Sequence, residues 1–389
     1  MRAVAPLLVV IAPVWLEGCK ACSEQDIVPG GGGDIDDTIE PDPHDIGSWL
    51  SMKATPDGKP AVAYYDRTSD ALGFAIGTIG DDGAVTWDTE EVDSYPDENG
   101  LNPGDAGKYA SMAIAGDGTV WIVYQDSTNG TLKYAKRDGS GAWTIGIADV
   151  GGGSSSDAGY WASVAIDSAG NPVAVHYDNG RGDLRATRWN GSAFSGTVIY
   201  EGDDYTNPED GSTVSGDAGE YAKIAVGADG TEYIAFYDVA AGALRLATGG
   251  PSGYSVELVD DGGDVGQWPD VLVDGSDVSI SYHDVTNQDL KLARGRPGAF
   301  TIETIDDGDY VGADSALYGS GDRIGILYQD AVDNDLVLSR SRDGVWSPER
   351  VTGEGVAAGY HNETIEIAGT RYVACYDYTN RTIWFSALL

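Results

Sequence analysis

Seven times this chain writes a short apolar and aromatic segment that ends in Asp, and six positions later it places an aliphatic residue. The pairs are Asp66/Leu72, Asp126/Leu132, Asp178/Leu184, Asp238/Leu244, Asp284/Leu290, Asp330/Leu336 and Asp377/Ile383. Successive Asp residues stand 60, 52, 60, 46, 46 and 47 positions apart. A period near 46 residues marks a supersecondary unit that cannot bury its own apolar faces and must stack on its neighbours. The three longer spacings imply loops inserted into a common unit.

Every unit reads alike. A Gly opens it, at Gly47, Gly107, Gly159, Gly219, Gly266, Gly312 and Gly359. An alternating strand follows, such as Tyr109 to Ile114. A turn pair such as Asp57-Gly58, Asp117-Gly118 or Asp229-Gly230 comes next and tolerates the positive φ of a tight hairpin. The second strand is nearly continuous in apolar residues, as in Tyr233 to Tyr237, which implies cover on both faces. The third carries the aliphatic residue, and the fourth begins near an aromatic in six units: Trp87, Trp143, Phe194, Tyr254, Phe300 and Trp346. No stretch shows a 3.6-residue apolar period, so almost no helix is expected. Seven such units predict an all-β, seven-bladed β-propeller with four-stranded blades over residues 35–389. Unit seven ends after its third strand, and the segment Ile35 to Glu40 is expected to supply the missing outer strand and close the ring.

Residues 1–19 read as a lipoprotein-type signal peptide. Arg2 precedes the mostly apolar run Ala3 to Leu16, and Leu16-Glu17-Gly18-Cys19 has the form of a lipobox. The run is too short to span a bilayer comfortably. Lipidation of Cys19 is the expectation, with plain secretion as the alternative. Residues 20–34, with Gly30 to Gly33, then form a flexible tether. This places the chain on a bacterial cell envelope, at the outer surface or in the periplasm, touching membrane only through its anchor. Three cysteines make no disulfide framework, and Cys375 reads as a small core residue. The formal net charge of -40 repels nucleic acid and leaves extracellular glycans or proteins as the expected partners.

Strand direction alternates within a unit, so the opening Gly, the repeated Asp and the loops between units share one end, here called the top. Two of those loops are long and acidic, Ser94 to Ala106 and Gly202 to Ala218, and both contain Asn-Pro. Two positions after each opening Gly stand Trp49, Tyr109, Trp161, Tyr221, Trp268, Asp314 and His361. Four positions after it stand Ser51, Ser111, Ser163, Lys223, Asp270, Ala316 and Glu363. Alternation puts both series on one face, toward a central channel. Five aromatics beside acids suit a sugar, which offers apolar faces and hydroxyls together. The structural alternative is that these aromatics pack between blades. The repeated Asp reads as a cap for turn amides. Together with the Asp two before the opening Gly (Asp45, Asp105, Asp157, Asp217, Asp264), it gathers carboxylates at the top, where Ca²⁺ is a candidate ligand. No EF-hand loop is present. His176 and His283, near the repeated Asp, are candidates for acid–base chemistry or for plain hydrogen bonding.

The units resemble secreted bacterial propeller repeats of the form Ser-x-Ala-x-Asp-x-x-Gly-x-Pro-x-Val-x-Tyr-x-Asp followed by Asp-Leu-x-x-Ala. Ser163 to Asp178 and Asp183-Leu184-Arg185-Ala186 follow that pattern closely, and the resemblance covers residues 47–389. Propellers of this look include fucose-binding lectins and sialidase-like proteins. The repeated sialidase Asp box, the Trp-Asp signature and the paired kelch glycines are absent. What the resemblance implies is a non-enzymatic, surface-anchored or secreted binding protein that recognises carbohydrate on its top face. A polysaccharide lyase or glycosidase, and a protein-binding scaffold, are the alternatives. The seven residues from Trp49 to His361 are the expected ligand contacts, and specificity is sought where the units disagree.

Overall fold

The computed structural model describes residues 45–81, 83–95, 104–206, 213–342, 344–353 and 356–388. Cys19, Cys22, the expected signal and tether, the closing segment Ile35 to Glu40 and both Asn-Pro pairs lie outside these residues. Within them the chain forms seven antiparallel blade sheets around one ring and one separate two-stranded ribbon, with no helix. Six sheets have four strands in sequence order, and the seventh has three, Tyr360–Ile367, Thr370–Asp377 and Thr382–Leu388. The innermost strands lie side by side, that of blade 1 (Ile46–Ala54) against those of blades 2 and 7. No helix among the described residues is long and apolar enough to cross a membrane.

The second strand of each blade is the most buried because blades cover it on both sides. In blade 4, Glu232–Asp238 is buried at every position. Apolar clusters therefore form between blades rather than inside one. Leu72 and Phe74 of blade 1 meet Met112 and Ile122 of blade 2, and Leu50 and Met52 of blade 1 meet Ile365 and Tyr372 of blade 7. Leu72, Leu132, Leu184, Leu244, Leu290 and Leu336 are fully buried. Each such leucine contributes about 1.5–3 kcal/mol relative to exposure.

Those leucines explain the opening glycines. The Cα of Gly266 lies so close to blade 4 that a Cβ there would come within 2.7 Å of Leu244 Cα. Its φ of +107° also lies where side chains are strained. The same approach recurs between Gly107 and the Leu72 backbone. Backbone bonds accompany the contact, such as Val265 N donating to Gly242 O at 3.1 Å and Val311 N to Gln288 O at 3.0 Å. Ile46 N donates to Arg381 O at 3.1 Å and Tyr376 Oη to Asp45 Oδ1 at 2.7 Å, so blade 7 meets blade 1 by the same device.

The repeated Asp caps the turn after it. Oδ1 of Asp66, Asp126, Asp238, Asp284, Asp330 and Asp377 each accepts a backbone amide two or three residues on. Asp178 departs from this and accepts from Gly152 N and Asp157 N of the adjoining loop. In blades 1, 2, 4 and 5 a second acid, at the end of the outer strand (Asp93, Asp149, Asp260 and Asp306), ties the blade to the next. Tyr124 Oη donates to Asp93 and Tyr282 Oη to Asp260, both at 2.6 Å, while Lys133 pairs with Asp93 and Lys291 with Asp260 at 3.4 Å. In blade 3 the same place holds His176, whose Nε2 lies 3.2 Å from Asp149 Oδ2, and Arg185, whose Nε and a terminal nitrogen reach Asp149 at 3.1 and 3.2 Å. Burial works against the Asp149 charge, but the bonds from His176 and Arg185 hold its carboxyl down to about 2. Cys375 is buried, and burial pushes its thiol up to about 12. It is the core residue its sequence position implied.

Candidate functional site at the propeller mouth

All seven residues of the first series meet at the top of the central channel. Trp49, Tyr109, Trp161, Tyr221, Trp268, Asp314 and His361 line one cavity of about 90 Å³. Their φ angles are 46°, 52°, 45°, 56°, 46°, 48° and 55°, all left-handed. Such a backbone costs a non-glycine residue of order 1–2 kcal/mol. Local register explains how it is held. In blade 1, Ile46 pairs with Asp66, Ser48 with Tyr65 and Ser51 with Ala63, so the inner strand carries two extra residues against its partner. These bulges recur in the first six blades, and one shift recurs in the seventh. A bulge re-aims a side chain, here toward the propeller axis.

The bulges overturn simple alternation. The residue three after the opening Gly also lines the cavity: Leu50, Ala110, Ala162, Ala222, Pro269, Ser315 and Asn362. Of the series four after it, only Lys223 and Glu363 do. The serines of that series serve the frame instead. Ser51 Oγ accepts Met112 N, Ser111 Oγ accepts Val164 N and Ser163 Oγ accepts Ile224 N, at 3.1, 3.1 and 3.2 Å, each from the next blade. Asp270 does the same for Leu317 N at 2.7 Å. Burial pushes the Asp270 carboxyl above its ordinary value, while Lys223 pulls it down. The Gly+3 series was hidden in the sequence because a bulge leaves no mark in a two-residue alternation. The recurrence of Gly two residues before a bulky residue was the signal that pointed to it.

The aromatics form an unbroken arc. Centroids lie 5.1 Å apart for Trp49–Tyr109, 5.6 Å for Tyr109–Trp161, 4.8 Å for Trp161–Tyr221 and 5.0 Å for Tyr221–Trp268. Their interplanar angles are 49°, 53°, 50° and 50°. A sevenfold ring turns each blade about 51° from the last. Rings related by that rotation keep the full angle only when their planes run nearly parallel to the axis. The aromatics therefore wall the cavity as upright panels and do not pave it. They also pack on one another, so binding and packing roles coexist in the same residues.

The remaining part of the wall is polar. His361 lies beside Trp49, with ring centroids 5.9 Å apart, and its Nδ1 is 3.9 Å from Asp314 Oδ1. Burial pushes the imidazole below the usual histidine value; Asp314 opposes the shift, and Lys223 and Arg67 add to it. Asn362 Nδ2 donates to Asp314 O and Gly359 O, both at 2.8 Å. Two carbonyl partners fix which amide atom is nitrogen. Asn362 Oδ1 is then buried with no hydrogen-bond partner among the described residues. Glu363 takes Lys53 Nζ at 3.1 Å and Ser51 Oγ at 3.4 Å. Lys223 joins no ion pair among the described residues.

The two histidines near the repeated Asp lie outside this cavity. His176 belongs to the blade 2–3 contact, and His283 Nδ1 donates to Val311 O at 2.7 Å behind Trp268. Burial pushes the His283 imidazole down. Both act as hydrogen-bonding parts of blade contacts. The gathered acids of the top are likewise partnered: Tyr177 Oη donates to Asp217 and Tyr237 Oη to Asp264, both at 2.7 Å. Among the described residues no three Asp, Glu, His or Cys side chains converge as a metal site would need. Of the long loops, Tyr95 folds back so that its hydroxyl meets Asp126, and Tyr205–Thr206 pairs with Thr213–Val214 as a short ribbon.

No protein-family model matches the sequence, and no curated protein matches it. Solved structures do. The polysaccharide lyase Uly1 aligns at 12% identity over 89% of this chain and 90% of its own, with a TM-score of 0.54. A Hadza microbial sialidase aligns at 16% identity over 87% of this chain and 65% of its own, with a TM-score of 0.45. A prolyl endopeptidase aligns at 10% identity over 89% of this chain, with a TM-score of 0.48, and the chain spans half of its length. At these identities the likeness is one of fold.

Proposed function

We propose that this protein is a surface-anchored or secreted glycan-binding protein whose ligand enters the mouth of the propeller. The observation that carries this reading is the meeting of five aromatic walls with Asp314, His361 and Asn362 around one small axial cavity. A sugar matches such a place because its C–H edges pack on aromatic surface while its hydroxyls both donate and accept. Asp314 and the free Oδ1 of Asn362 accept, Lys223 donates, and a neutral His361 can do either. The anchor would be Cys19, on a bacterial envelope. Ca²⁺ would act through the carboxylates gathered at the top by the repeated Asp and the Asp two before the opening Gly.

A glycan-array screen with and without Ca²⁺ tests the reading. We expect selective binding, weakened at least tenfold in Trp161→Ala and Trp268→Ala chains that melt within a few degrees of the parent. Absence of binding, or binding indifferent to both substitutions, overturns it. Loss of binding on chelation would place the cation in the site.

One observation favours a second reading, a polysaccharide lyase: His361, whose imidazole burial keeps toward the neutral form, lines the same cavity as Tyr109 and Tyr221 and is able to accept a proton there. Unsaturated products from a polysaccharide panel, abolished in His361→Ala, would establish it in place of simple binding.

A further inference from the structure

We propose that the mouth reads the end of a glycan chain, one terminal sugar entering along the propeller axis, and that it does not grip a chain through its middle. This rests on the glycan reading above and narrows it.

Three features converge on an end-on ligand. First, the cavity is bounded on every side, since each of the seven blades contributes wall residues. An internal sugar carries chain at two positions and needs a groove with two exits, whereas a closed ring offers one way in. Second, the cavity is small. About 90 Å³ is well below the roughly 300–1,000 Å³ of a pocket that engulfs a drug-sized molecule. It admits part of one sugar, and the rest of the ligand must stand outside. Third, the aromatic panels are upright. Their planes run along the axis, so no broad ring face lies across the mouth for an extended chain to rest upon.

The polar groups suit what an end presents. A terminal sugar has a free hydroxyl where an internal one has a linkage. Asn362 Oδ1 is a buried acceptor without a donor, and a buried group left unmatched costs about 1–3 kcal/mol. A hydroxyl arriving along the axis would supply the missing donor. Lys223 and Glu363 come from the position furthest down the inner strands of any lining residue, so they form the floor that stops the ligand.

The test is an array of linear oligosaccharides of increasing length, each printed with its outer terminus free and again with that terminus chemically capped. We expect binding to free-ended probes only, with one protein bound per free end at every length. Equal binding to capped probes, or a stoichiometry that climbs with chain length, overturns the end-reading while leaving glycan binding in place. Failure to bind any probe in either form overturns both.

Discussion

A bulky side chain in the left-handed region is rare, and here the backbone holds seven of them at equivalent positions. Strain repeated with such regularity belongs to the architecture: the bulge that creates it is what turns Trp49, Tyr109, Trp161, Tyr221, Trp268, Asp314 and His361 toward the axis. Beside Tyr221 stands a residue strained in another way. Glu220 is largely buried and accepts no hydrogen bond from any described residue. Burial first, then the Asp217 carboxylate, push its pKa from an ordinary 4.5 up to about 8. An acid that is harder to ionise in the native state than in the unfolded one weakens the fold as pH rises. The effect is absent below about 4.5, grows between 4.5 and 8, and is complete above 8. We expect Glu220→Gln to melt above the parent at pH 8.5 and level with it at pH 4, a difference that accumulates at on the order of 1 kcal/mol per pH unit. Parallel melting curves for the two chains across that range would remove Glu220 as the cause.

Among the elements, the decisive contact is the opening glycine of one blade against the leucine backbone of the blade before it. Gly266→Ala brings together a left-handed φ and a Cβ 2.7 Å from Leu244 Cα, so we expect it to cost about 2–4 kcal/mol, read as a lower urea midpoint. Gly275→Ala is the matched control. Its φ is +63°, but a Cβ there meets nothing within 4 Å, so it should cost only the strain, about 1 kcal/mol. If the two substitutions cost the same, close approach is not what the repeat selects. The strands themselves were legible in the sequence because a two-residue alternation and Asp-Gly turns are local signals. The mouth was legible in part. The residues two after each Gly were visible as a series, while the Gly+3 series, with Asn362 and Ser315, was masked by the bulge. Ser51, Ser111 and Ser163 were visible too, but their role as acceptors for the next blade's amides depends on a neighbour some fifty to sixty residues away, which no local pattern encodes.

On the scale of the molecule, a ring of seven blades must close within a chain whose formal charge is -40. Many of the acids are spoken for within blade contacts, as Asp93, Asp149 and Asp260 are. The rest repel one another across the surface. Salt shortens that repulsion to a Debye length of about 10 Å at 0.1 M and about 3 Å at 1 M. We therefore expect the melting temperature to rise steadily with sodium chloride over that range; a fall would show that surface ion pairs outweigh the net repulsion. Sequence by itself determined the number of blades, the order of strands, the end that carries the loops and the series two residues after each opening Gly that meets at the mouth. These follow from period, alternation and turn chemistry, which act between near neighbours in the chain. Only the tertiary structure decided that the aromatics stand upright, that the cavity is small and ringed by all seven blades, and that Asn362 leaves an acceptor unmatched within it. Those facts arise where seven distant segments converge on one axis, and the angle between blades, absent from any single unit, sets the shape of the space they share.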